Sequence, residues 1–183
     1  MENKKLRTTL YLTLLGVISF VLMYLMEIPI LPAAPYLKYD LSEVVAIVGG
    51  FLFGPLAGSA VILIKSLLFF LSGKGASGWV GLLASALSGF ALVWGTVLLY
   101  RIKKTNLMMY LGIPLGVLLI TASMTLFNYF ILLPLYGIPA EEVGSTLTAA
   151  IIPFNLIKGA ISTVLSIGIF GLLHKRMESF LKR

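Results

Sequence analysis

The chain reads as an all-α polytopic membrane protein with six transmembrane helices, a short second helix and both termini in the cytoplasm. The apolar excess, the layout of six apolar stretches and the side on which the cations fall all lead to this reading. Apolar residues make up 59% of the 183 and charged residues only 11%, against roughly 45–50% and about 25% in soluble domains. Too little polar surface remains to cover a water-facing globule, so the solvent must be largely lipid. At about 20 residues per crossing the length allows a single transmembrane domain over 1–183 and no separate soluble one. The net charge of +7 comes from short clusters beside apolar runs, not from a basic stripe interleaved with aromatics, which argues against a nucleic-acid partner. With no cysteine there are no disulfides or thiolate sites.

The first helix is expected at about 8–30. Lys4, Lys5 and Arg7 precede it and Pro32-Ala33-Ala34 follows, as in a signal peptide, but the apolar run is longer than a signal core and is taken as a retained span. Two helices are expected at 42–53 and 55–71, divided by the helix-ending dipeptide Gly54-Pro55. The last three fall at about 79–100, 109–133 and 149–174. Fusing the second and third runs would give five spans, and the choice between five and six turns on charge. With six, Lys4, Lys5, Arg7, Arg101, Lys103, Lys104, Lys175, Arg176, Lys182 and Arg183 share one side, which the positive-inside rule makes the cytoplasm. With five, the Arg101–Lys104 cluster and the basic C-terminus would face outward.

The second helix, about 18 Å long, cannot cross a core of about 30 Å alone. The segment before it, with Pro29, Pro32 and Pro35, is therefore expected to dip into the protein from outside, where irregular backbone is tolerated only when buried or lining a cavity. Asp40 and Glu43 have capping-box-like spacing at the start of this helix, so satisfying free N–H groups is the expected structural role of both, and for Glu43 the favoured one.

Amide and ionisable groups within spans carry most of the functional information, because leaving them unpaired in hydrocarbon costs several kcal/mol. Asn128 lies near the outer end of the fifth helix, with Thr121 and Thr125 on its face. Asn155 and Lys158 are three apart on the sixth. Antiparallel helices joined by a short outer loop bring Asn128, Asn155 and Lys158 to similar depth. Two amides and one ammonium suit a planar heterocycle with carbonyls beside ring nitrogens, such as a flavin's pyrimidine edge. Interhelical hydrogen bonding and snorkelling are the competing structural roles, and convergence at one depth favours the ligand reading.

Other features are read structurally. Lys65 sits deeper on the third helix with no carboxylate at its level. Trp79 and Tyr100 bracket the fourth helix as interfacial belt residues. Gly50, Gly54 and Gly58 suit close packing around the Gly-Pro turn, and Pro139-Ala140-Glu141-Glu142 the first turn of a short surface helix. No phosphate-cradling G-x-x-x-x-G-K-[ST] is present, and no catalytic set or metal cluster can be assembled around His174, so neither enzyme activity nor a cofactor is expected.

The segments Pro35-Tyr36-Leu37-Lys38-Tyr39-Asp40-Leu41-Ser42, Gly50-Phe51-Leu52-Phe53-Gly54-Pro55, Asn128-Tyr129-Phe130 and Pro153-Phe154-Asn155-Leu156-Ile157-Lys158-Gly159 resemble those of the substrate-binding S components of energy-coupling-factor (ECF) vitamin transporters, in the riboflavin-specific branch. The resemblance covers essentially the whole chain, and the last segment is its most specific part. It implies that Asn128, Asn155 and Lys158 hold the flavin ring, with the loop around Lys38, Tyr39 and Asp40 nearer the ribityl chain; Thr125, on the face of Asn128, is a further ligand-binding candidate by its spacing. It further implies the plasma membrane of a prokaryote, and partnership with a T component and two ATPase subunits. S components typically dock through an Ala-x-x-x-Ala face on the first helix; the nearest small residues here are Thr9, Thr13 and Gly16. An S component for another vitamin, such as thiamin or a pterin, and a stand-alone secondary transporter remain open alternatives, although neither the internal repeat nor the paired midplane carboxylates of the latter are evident.

Overall fold

The structure, a computed structural model, describes residues 2–74 and 78–181, with side chains within 6–74 and 78–174. Of the cations expected on the cytoplasmic side, Lys4, Lys5, Lys175, Arg176, Lys182 and Arg183 lie outside the described side chains. The chain forms α1 (Glu2–Leu25), β1 (Ile28–Pro29), β2 (Lys38–Tyr39), α2 (Ser42–Phe53), α3 (Pro55–Leu71), α4 (Gly78–Ile102) and α5 (Asn106–Phe127). A π-helical segment, Asn128–Leu132, leads into α6 (Leu133–Leu135). After α7 (Ala140–Thr146), a second π segment, Leu147–Ile151, runs into α8 (Ile152–Leu181).

Four stretches among the described residues are long and apolar enough to cross a membrane: Leu6–Leu25, Gly78–Ile102, Asn106–Leu135 and Ala140–His174. Ser42–Phe53 and Pro55–Leu71 are shorter apolar helices. Leucines and other large apolar side chains, Leu10, Leu14, Leu118 and Val164 among them, stand exposed on the helices' outer faces, as lipid contact requires.

The first helix stops at Leu25 rather than near Ile30. Pro29 lacks an N–H and forces the residue before it out of the helical region, so Ile28–Pro29 instead pairs antiparallel with Lys38–Tyr39. This ladder ties down the loop that leads to α2, and within the loop Ala34 is fully buried.

The second helix is central: nine of its twelve residues are buried, and it packs against α1, α3, α4 and α8. Its end is set by Gly54, whose φ of 112° is a conformation that other residues rarely adopt, followed by Pro55 at the start of α3. The Gly-Pro turn is tightly packed as expected. A Cβ at Gly58 would come within 2.8 Å of Ala46 O, and one at Gly54 would meet the Arg101 guanidinium at 3.0 Å.

Near this turn, Phe51, Tyr100 and Phe170 form an aromatic cluster, with Phe51 and Phe170 stacked at 4.8 Å. Tyr100, half-buried at the end of α4, packs its ring edge-on to both phenylalanines, a contact that its expected interfacial role did not include. Trp79, at the other end of α4, is exposed.

Close contact between α4 and α5 depends on absent side chains. A Cβ at Gly95 would fall 2.7 Å from Gly116 Cα, and Gly112 lies directly against the Thr96 backbone. Gly95→Val should lower stability by about 1–3 kcal/mol through overpacking, whereas Gly168→Ala, with open space around it, should change it by no more than about 0.5 kcal/mol. Thermal melting in detergent distinguishes the two.

Candidate ligand-binding site

A cavity of about 410 Å³ opens at the end of the bundle that carries the β ladder, within the size range of small-molecule sites. Its wall includes Asn128, Asn155 and Lys158, the three groups that helical spacing places at one depth, together with Lys38 and Asp40. Met124, Leu132, Ile151, Phe154, Phe69 and Leu82 supply apolar surface.

Each amide is held the same way. The Asn128 Nδ2 donates to Met124 O at 2.7 Å, and the Asn155 Nδ2 donates to Ile151 O at 2.8 Å. Each anchored side chain keeps its carbonyl oxygen and one N–H, an acceptor beside a donor. The π segments explain these bonds in part. Asn128 opens the first, and Asn155 bonds to the last residue of the second; wider turns are common where helices carry functional groups.

Glu43 does not cap α2. No side chain caps that helix, and Asp40 Oδ1 instead accepts the Ser42 N–H at 2.8 Å in a local turn. Glu43, only 1% exposed, places Oε1 2.7 Å from the Lys158 Nζ and 3.3 Å from the Lys65 Nζ. The expectation that Lys65 has no carboxylate at its level is thus wrong. The Lys65 side chain of α3 reaches across to the first turn of α2, where Glu43 lies. Lys65 also donates to Ser42 Oγ at 2.5 Å, and the Ser42 carbonyl accepts from Ser19 Oγ of α1 at 2.7 Å. One polar chain therefore connects α1, α2, α3 and α8.

The other expected site residues are placed differently. Lys38 lies at the mouth, paired with Glu27 at 2.9 Å. Tyr39 is buried beside α8, its hydroxyl accepting from Ser162 Oγ at 3.4 Å, and does not line the cavity. Thr125 is also absent from the wall and donates to Thr121 O at 2.7 Å. Of the small residues on α1, Gly16 faces inward: a Cβ there would sit 2.5 Å from the Ile64 side chain. Thr9 and Thr13 are exposed. Sequence reasoning also missed Lys74, which lines the cavity, donates to Tyr24 O and lies 4.4 Å from the Tyr24 ring centre.

A helical bundle with membrane-length apolar stretches and a cavity that sets a few polar groups in an apolar wall defines a membrane protein with a small-molecule-sized pocket, and no group of metal-ligating side chains stands among the described residues. Residues 9–170 match the family model for the substrate-specific component of ECF transporters, and the chain belongs to that family. It is 35% identical to the riboflavin transporter RibU of Staphylococcus aureus (strain TCH60), over 100% of this chain and 94% of that protein. It is 30% identical to the riboflavin transporter FmnP of Bacillus subtilis (strain 168), over 98% and 96%. A solved S component of a bacterial ECF transporter superposes with a TM-score of 0.76 at 36% identity, each chain covered in full. The chain is accordingly an S component, and a multi-pass membrane protein of a prokaryote.

Removing the carboxylate that both lysines share leaves two buried ammonium groups uncompensated. Glu43→Ala should therefore cost about 3–5 kcal/mol of stability, read as a fall in melting temperature of the purified protein without ligand.

Proposed function

We propose that this chain captures riboflavin from the extracellular side with high affinity and delivers it for uptake driven by a separate T component and two ATPase subunits. The chain crosses the membrane six times with both termini in the cytoplasm, α2 reaching only part way and the loop before it completing the crossing. The ladder end then faces outward, and Arg7 and Arg101 lie on the inner side with the Gly54-Pro55 turn.

The observation that carries the reading is the convergence of Asn128, Asn155 and Lys158 on one cavity wall. Anchored amides offer acceptor and donor side by side, matching the alternating carbonyls and ring N–H of the flavin's pyrimidine edge. The apolar wall buries the rest of the tricyclic ring, and the ribityl hydroxyls meet Asp40 and Lys38 toward the mouth. The riboflavin transporters named above, similar along their whole length, support the same ligand.

Purified protein should quench riboflavin fluorescence with a submicromolar Kd, and absence of such binding would overturn the proposal. Asn155→Ala should weaken binding by about 1–3 kcal/mol, because a buried ligand group loses its partner.

A further inference from the structure

Lys65 is fully buried, is one of the largest side chains in the interior, and does not line the cavity, so it cannot touch a ligand there. It nevertheless shares Glu43 Oε1 with Lys158, which does line the cavity. Asp40, the other buried carboxylate of this wall, is occupied by the Ser42 N–H. The group thus holds two ammonium ions against two carboxylates.

An ammonium has three N–H donors. Lys158 is ion-paired with Glu43 Oε1, 2.7 Å away, and also lines the cavity. Were Lys65 missing, Glu43 would keep Lys158 as its one ion-pair partner, and in a low-dielectric interior that pull is strong. Lys158 would be drawn toward α2 and away from a ligand.

We propose that Lys65 is a positioning residue: by sharing Glu43 from α3, it keeps the Lys158 ammonium available to the ligand. This rests on the riboflavin reading of the cavity. Lys65 on α3 and Lys158 on α8 are then linked through one carboxylate. The linkage has a charge signature. Lys65→Met removes one positive charge and Glu43→Gln one negative charge, while the double variant keeps the wild-type net charge of the group.

Riboflavin binding to purified wild type, Lys65→Met, Glu43→Gln and the double variant, followed by fluorescence quenching, tests this. Lys65→Met should raise Kd by about tenfold to a hundredfold, the scale of one charged hydrogen bond. The double variant should return to within about threefold of wild type, a deviation of well under 1.4 kcal/mol. The visible absorption spectrum of saturated riboflavin should change in Lys65→Met and match wild type in the double variant; a purely structural role leaves it unchanged. An unchanged Kd in Lys65→Met, or a double variant weaker than either single one, overturns the inference. If a single variant is not recovered folded, the double variant decides: binding near wild type supports the inference, and binding weaker by more than about tenfold overturns it. A wild-type chain that takes no riboflavin removes the functional reading, and this inference with it.

Discussion

A carboxylate buried to 1% exposure between two ammonium groups is the constraint around which the ladder end of this bundle is built. Glu43 cannot stay ionised in such surroundings without both geometry and charge being matched, since desolvating the ions costs several kcal/mol each before attraction offsets it. The match fixes α2, α3 and α8 at one level, and Ser42 extends it to α1 through Ser19. Lys158 reaches the cavity wall because the helices that carry its partners are held there.

Much of this arrangement is legible in the residues themselves. Apolar runs locate the helices, and Gly54-Pro55 divides α2 from α3 where the structure has the turn, because a positive φ and a missing N–H leave little alternative. Spacing alone brings Asn128, Asn155 and Lys158 to one wall. What spacing does not encode is how far a long side chain reaches between helices. The partnership of Lys65 with Glu43 crosses from α3 to α2, and a local pattern, Asp40 followed by Glu43, suggested a cap instead. The packing of Tyr100 and the inward position of Gly16 escaped the sequence for the same reason. An aromatic at a helix end and a small residue on an outer helix have typical roles, and only tertiary packing shows that Phe170 and Ile64 claim them.

The bundle divides its demands between its two ends. Close packing through Gly95, Gly112 and Gly116 joins α4 to α5 along the membrane, and the aromatic cluster of Phe51, Tyr100 and Phe170 fills the end near the Gly-Pro turn. Neither region contains a buried charge among the described residues. The cavity end concentrates the polar groups, the proline-rich loop and the short ladder. There the irregular backbone is closed off by Ala34 and Tyr39, both buried. Apolar packing thus supplies rigidity where nothing has to be recognised, and the costly polar groups sit where their remaining donors and acceptors meet a void.

The two wide turns, Asn128–Leu132 and Leu147–Ile151, lie on either side of the hairpin that brings α5 back as α8. Each accommodates one surplus residue relative to an ordinary helix, and a helix rotates its side chains by about 100° per residue. An ordinary helix through either turn would present a face swung by about that angle. The two turns therefore help to set which side chains this hairpin shows to the cavity, separately from the glycine seam between α4 and α5.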